Sequence, residues 1–395
     1  MKIALVAQHA VPLPRAERAT PDAEDDIRIR DLSRGLATDG HDVTVYAQRP
    51  AGDPLGHGEL CPGVTVEYLG PAADRDDYDL LKRVPGFTAP LRDRLGENPP
   101  DVVHALRWTS GLAALAAARD QRLPVVQSFA SLCLPQRRHR LVQSGTGLKR
   151  LRLVPAIGRS ASAVVADCED EESELARAGV PRRSIRVVPC GVDTQRFMPE
   201  GPAAACDTRP RLLTVTSLES YDELATLLRT LAQVPDVELV VAGGPPASLL
   251  GQDPAYRKLS ELADTLGVAD RVQFAGQVAR DDLPPLLRSA DLMVSLAQYD
   301  PAGMVVLEAM ACGTPVVAAD GGGYGDAVID AVTGILVPAH RPALIAQRIR
   351  QLLRHPMRLA AFGVAAADRA RSRYAWDRIA RETVAVYDHA TALTA

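Results

Sequence analysis

The chain has 395 residues, with 45 Lys and Arg against 49 Asp and Glu, a formal charge of −4, and 24% charged and 47% hydrophobic residues. That balance excludes a disordered or fibrous chain and lacks the positive excess that nucleic-acid binding requires. At about 100–200 residues per domain the length predicts two domains or three, each with its own core, and excludes a small module that depends on disulfides or a metal.

From the N-terminus onward, short apolar runs alternate with stretches of helical spacing, the pattern of βαβ units and a parallel sheet. The first series predicts strands over Ile3 to Ala7, Val43 to Ala47, Val64 to Tyr68, Val102 to Ala105, Val125 to Ser128, Ala163 to Ala166 and Ile185 to Val188. A Pro/Gly-rich stretch without periodicity, Pro189 to Pro210, then reads as a linker. The second series predicts strands over Leu212 to Thr216, Glu238 to Ala242, Val272 to Ala275, Leu292 to Leu296, Pro315 to Ala319 and Ile335 to Val337. Helical spacing closes the chain around Pro342 to Leu353, Met357 to Ser372 and Trp376 to Ala392. Aromatic residues at only 4% suit buried parallel strands and Ala-rich helices.

These series predict two doubly wound α/β domains facing a cleft, residues 1–197 and 198–373, with the last helix, 374–392, packing back on the first. Only five apolar residues, Ile3 to Ala7, precede Gln8, too few for a signal-peptide core. No run of about 18 apolar residues occurs, so a cytoplasmic protein is expected. Cys61, Cys133, Cys168, Cys190, Cys206 and Cys312 form no metal-ligand spacing and read as small core residues, and no metal site is expected.

The most specific stretch is DPAGMVVLEAMACGTPVVAADGGG, Asp300 to Gly323, with Glu308 eight positions after Asp300, then a buried strand and a glycine turn. It resembles the donor-site signature of retaining GT-B glycosyltransferases of the family-four type. PDVVHALRWTSGLAALAAAR, RVVPCGVDTQRF, LVVAGGPP and RVQFAG resemble the same family in matching order, so the likeness covers nearly the whole chain. It implies a GT-B fold of two Rossmann-like domains and hexosyl transfer from a UDP- or GDP-sugar to an acceptor hydroxyl, with no resident cofactor.

By that resemblance Glu308 accepts hydrogen bonds from the ribose hydroxyls and Asp300 lies near the donor sugar. Gly243, Gly244, Gly303, Gly322 and Gly323 border the donor, the last two presenting backbone N–H groups. His9, His104 and Arg107 belong to the acceptor side. Tyr324 is expected either to line the pocket or to pack.

Several positions depart from the family, and most in one direction. Ser217 and Asp222 stand where it has Arg and Lys after the first strand of the second domain. Ala23 and Glu24, followed by Asp25 and Asp26, replace a glycine pair ahead of the first helix. Leu106 replaces the second His of an H-x-H strand end, Ala130 another His, and Asp300 the more usual Glu. Losing two cationic contacts to a diphosphate removes about 1.5–3 kcal/mol each.

Three readings follow: an active transferase, a degenerate homologue that binds or regulates an active paralogue, or a protein whose donor lacks a diphosphate, such as a sugar monophosphate. Arg107, Arg137, Arg138 and Arg280 are candidate replacement cations, each otherwise a solvated surface charge. The basic segment Gln136 to Pro155 reads as a solvated face in which Gly145 and Gly147 interrupt any long amphipathic helix, so membrane contact is peripheral at most.

Overall fold

The computed structural model describes residues 1–8, 21–50, 57–73, 80–129, 145–206 and 208–393. These form two compact units, one built from Asp25–Cys190 with the first strand and the last helix, the other from Gly191–Ala375.

The first unit runs β1 (Lys2–Ala7), α1 (Pro21–Thr38), β2 (Asp42–Pro50), β3 (His57–Cys61), β4 (Val64–Ala73), α2 (Leu80–Glu97), β5 (Val102–Leu106) and α3 (Trp108–Ala118). It continues through β6 (Val125–Ser128), α4 (Gly145–Ser160), β7 (Ala163–Ala166), α5 (Glu169–Arg177) and β8 (Ile185–Val187). The sheet order is β3-β4-β2-β1-β5-β6-β7-β8. Every pairing is parallel except β3 with β4.

The β3 strand was not expected. HGELC has no apolar alternation because it lies on the sheet edge with no side chain fully buried. What fixes it is the turn that follows, in which Pro62 leads into Gly63 at φ 83°, the pairing a type II turn requires.

The second unit runs β9 (Arg211–Val215), α6 (Tyr221–Leu231), β10 (Glu238–Ala242), α7 (Pro254–Thr265), β11 (Val272–Gly276), α8 (Leu283–Arg288), β12 (Leu292–Ser295) and α9 (Met304–Ala311). It ends with β13 (Val316–Ala319), α10 (Gly322–Ala327), β14 (Gly334–Val337), α11 (Pro342–Leu353) and α12 (Pro356–Arg373). Its sheet, β11-β10-β9-β12-β13-β14, is parallel throughout. Local chemistry starts its helices: Asp253 accepts from the N–H groups of Ala255 and Tyr256 at 2.8 and 2.9 Å with Pro254 at the first helical position, and Pro356 opens α12 in the same way.

The closing helix α13 (Trp376–Ala392) belongs to the first unit, where Ile379, Ala380, Val386, Tyr387 and Ala390 join the core and the helix packs against β5, β6 and β7. The stretch read as a linker is more than a tether. Within it Phe197 is fully buried, and the Val192 N–H donates to the Tyr374 carbonyl at 2.8 Å.

Two further expectations are corrected. Gly145 and Gly147 do not interrupt a helix; they begin the 16-residue α4, in a first turn whose N–H groups have no intrahelical partner to lose. Cys206 is exposed, whereas Cys168, Cys190 and Cys312 are buried as expected.

Candidate active site

In the second unit β9 pairs with β10 on one side and β12 on the other, so the strand order reverses between β9 and β12. A doubly wound sheet binds ligands at the carboxyl ends of the strands beside such a reversal. The segments leaving those ends here are Thr216 to Glu223 after β9 and Leu296 to Met304 after β12.

Asp300 organises the second of these loops. One carboxylate oxygen accepts from the Gly303 N–H at 2.9 Å and the other from the Tyr324 hydroxyl at 3.1 Å. Tyr324 is buried and shares a 2.8 Å hydrogen bond with the Ser295 hydroxyl. Its single proton goes to Asp300, so Ser295 donates to it. Burial, reinforced by Asp300 and Glu223, pushes the phenol well above its ordinary value, and Tyr324 stays a neutral donor. Of its two expected roles, Tyr324 therefore takes packing and support of Asp300.

Gly323 is corrected in its task, and two further glycines also spend their N–H groups within the fold. The Gly323 N–H donates to the Asp300 carbonyl at 2.8 Å, the Gly243 N–H to the Gly276 carbonyl at 2.7 Å, and the Gly303 N–H is spent on Asp300. None of these three is presented to a ligand. Gly322 and Gly323 are instead required by close backbone approach: a Cβ on Gly322 would lie 3.0 Å from the Asp300 carbonyl oxygen, and one on Gly323 would collide with the Pro301 carbonyl. The glycine triplet thus fixes the Asp300 loop. Gly244, at φ 91°, packs against Leu218.

Glu308 lies inside α9, whose sequence MVVLEAMA is otherwise apolar. Its side chain is 1% exposed and forms an ion pair with Arg280, itself 7% exposed. The Arg280 guanidinium sits over the Phe197 ring, 4.6 Å from its centroid. The expectation of Arg280 as a solvated surface charge is therefore corrected: it comes from the loop after β11 and is buried against the acid of the signature.

At the end of β9 the substituted positions are as the sequence suggests in sign. The Ser217 hydroxyl accepts from the Glu219 N–H at 3.2 Å, and Asp222 is exposed in the first turn of α6. The residue that sequence reasoning missed is Glu223. Its carboxylate accepts from the Leu296 N–H at 3.0 Å and the Thr216 hydroxyl at 3.3 Å, bridging the ends of β9 and β12 at the strand reversal. Burial pushes Glu223 above its ordinary 4.5 and the charge of Asp300 adds to this, while hydrogen bonds from Leu296, Thr216 and Ala297 pull back. The available signal was a second acid beside Asp222, which reads simply as helix-dipole compensation.

In the first unit His104, expected on the acceptor side, is a buried residue. It is 2% exposed, with Nδ1 2.8 Å from the Tyr387 hydroxyl and Nε2 2.9 Å from the Ser128 hydroxyl. Desolvation, helped by the charge of Arg28, lowers it to about 3, so it is a neutral core residue that ties β5 and β6 to α13. Leu106 is buried in the same core.

Arg107, directly after β5, is only partly exposed, adopts φ 76° and forms an ion pair with Asp25. A non-glycine residue in that region stores strain, which concentrates at functional positions. His9, Ala130, Arg137 and Arg138 lie outside the described residues, as do the side chains of Ala23 and Glu24. Among the described residues no group of three or more His, Cys, Asp or Glu is placed to hold a metal ion, and no helix is long and apolar enough to cross a membrane.

Two parallel α/β units with an acid-bearing loop at a strand reversal define a class, and comparison with known proteins names it. A family model described as Glycosyltransferase Family 4 matches residues 27–196, and one described as Glycosyl transferases group 1 matches residues 202–369. D-inositol 3-phosphate glycosyltransferase 2 of Catenulispora acidiphila is 33% identical, over 98% of this chain and 94% of its own. The D-inositol 3-phosphate glycosyltransferase of Streptomyces bingchenggensis is 30% identical, over 98% and 89%. Among solved structures, sucrose-phosphate synthase from Thermosynechococcus elongatus superposes with a TM-score of 0.85 at 26% identity, covering 99% of both chains. HepE of Anabaena, solved with UDP-glucose, superposes with a TM-score of 0.72 at 21% identity, over 98% of this chain and 99% of its own. The fold is GT-B, and the chain belongs to the GT-B glycosyltransferases of the family 4 type.

Proposed function

We propose that this protein transfers a glycosyl group from a nucleotide sugar to a hydroxyl of a small polyol or sugar acceptor, with retention at the anomeric carbon. The observation that carries this reading is the buried, arginine-held carboxylate of Glu308 in the helix that follows β12. Ribose offers two hydroxyl donors, and an ionised carboxylate accepts both in charge-assisted hydrogen bonds. Asp300, braced by Tyr324 and Gly303, fixes the neighbouring loop against the sugar. In the transfer the anomeric carbon loses its bond to the diphosphate and gains one to the acceptor oxygen, whose proton leaves with the nucleoside diphosphate.

The names of the relatives support a phosphorylated polyol as the first acceptor to try. Arg107, strained at the end of β5, is the cation for its phosphate, which would compete there with Asp25.

A specific observation favours a second reading, a homologue that has lost turnover and serves as a binding or regulatory partner of an active paralogue. The end of β9 carries Ser217, Asp222 and the partly buried Glu223, a wall that repels a diphosphate, where the family resemblance calls for cations. Calorimetric titration with UDP, GDP and ADP and their glucose conjugates separates the two. Micromolar binding by the natural chain, followed by transfer to inositol phosphate or a sugar phosphate, supports the transferase. Binding that is absent and recovers in Ser217→Arg/Asp222→Lys supports the degenerate homologue.

A further inference from the structure

Arg280 and Glu308 form a pair that the fold alone does not call for. Replacing a buried ion pair with apolar residues of similar volume often leaves stability unchanged or raised. Glu308 is the one charged residue of α9 and every neighbour in that helix is apolar, so Leu or Met would suit the helix core. The acid is nevertheless kept, and with it a guanidinium 7% exposed. The fully buried Phe197 ring supports that guanidinium from 4.6 Å. Three parts distant in sequence, the Phe197 turn, the loop after β11 and α9, are thereby spent on one carboxylate.

We propose that Arg280 is a positioning residue for ribose recognition: stacked on Phe197, it holds the Glu308 carboxylate in one orientation, in which it accepts from the two ribose hydroxyls of the donor. A neighbouring guanidinium favours the charged form of a buried carboxyl, which desolvation alone would protonate. A carboxylate has about four acceptor sites, enough for a guanidinium and two hydroxyls together. The planar fork of Arg fixes orientation where the flexible ammonium of Lys would not. This rests on the reading of Glu308 as the ribose acceptor, and its test separates the two claims.

The test is equilibrium binding of UDP and 2′,3′-dideoxy-UDP, with the ADP and GDP pairs in parallel, to the full chain and to Arg280→Gln, Arg280→Lys and Phe197→Leu, thermal unfolding confirming that each is folded. The natural chain is expected to prefer the ribonucleotide by about tenfold to a hundredfold, the worth of hydrogen bonds to a charged acceptor. In Arg280→Gln that preference collapses to within about threefold while affinity for the dideoxy compound barely changes, with Arg280→Lys and Phe197→Leu in between. An unchanged preference in the variants overturns the inference. So does an equal loss for both nucleotides, the behaviour of a phosphate contact or of a purely structural pair. A natural chain that binds no nucleotide, or binds both forms alike, overturns the ribose reading of Glu308 itself and the inference with it. If Arg280→Gln does not fold, Arg280→Lys and Phe197→Leu decide the matter by the same ratio.

Discussion

The pair Arg28–Asp167 in the first unit and the pair Arg280–Glu308 in the second are both buried arginine–carboxylate contacts, yet they stand in different relations to their sheets. Arg28, in the middle of α1, meets both oxygens of Asp167 at the start of the turn from β7 into α5. That turn is closed by the Asp167 N–H donating to Glu171 at 2.7 Å. The strand reversal of the first sheet lies between β1 and β5, two strands away from β7. Glu308, by contrast, sits on the helix that leaves β12, one of the two strands at the reversal of its own sheet. The same chemical pair therefore lies away from the strand reversal in one sheet and beside it in the other. Position relative to the strand reversal, not the strength of the contact, distinguishes them.

The largest effect separates the two pairs directly. Arg28→Met leaves Asp167 as a buried charge without its bidentate partner, and unfolding free energy should fall by about 3–5 kcal/mol. Nucleotide affinity, measured well below the lowered transition, should be unchanged. A loss of nucleotide binding without loss of stability would reverse the assignment of the two pairs.

His104 gives the second effect, and its sign follows from which state binds the proton. In the native protein the imidazole is held to about 3, while in the unfolded chain it titrates near 6.5. Between those values the unfolded state alone is protonated. The contribution is complete above 6.5 and drains away as pH falls, by about 3 kcal/mol at pH 4. Melting of the natural chain and of His104→Gln across pH 4 to 7 measures it, and the variant should lack this part of the acid slope. Equal slopes would mean that His104 is not a neutral core group.

The parallel strands were legible because buried parallel strands are short apolar runs bounded by turns, and the signature around Asp300 and Glu308 was legible because its spacing is local. What escaped was the pairing of residues from different loops. Nothing at Arg280 indicates that its partner lies 28 positions on in the chain, since a single arginine in a loop most often faces water. His104 read as a cleft residue because its partners, Ser128 and Tyr387, come from β6 and from a helix at the other end of the chain. Gly323 drew attention as a ligand-facing N–H group, whereas that group is hydrogen-bonded to the Asp300 carbonyl. Sequence gives residue types at a site; which of them satisfy one another depends on the sheet that assembles the loops.

Glu223 gives the smallest effect and sharpens the comparison within the second unit. Its carboxyl is raised above 4.5 by burial first and by Asp300 second, so the native state keeps a proton that the unfolded chain has lost. Stability is full below 4.5 and declines as pH rises through the folded-state value, opposite in sign to the His104 effect. Glu223→Gln keeps an oxygen for the Leu296 N–H but has no proton to lose, so its melting temperature should gain on that of the natural chain as pH rises above 4.5. The same variant removes the carboxylate at the strand reversal and should tighten UDP binding at a pH above its folded-state value. If melting improves and UDP binding does not, Glu223 is a bridge between β9 and β12 and the acidic wall is not what limits the donor. If both improve, the carboxylate opposes the diphosphate, and the difference between an active transferase and a degenerate one narrows to the charge at Ser217, Asp222 and Glu223.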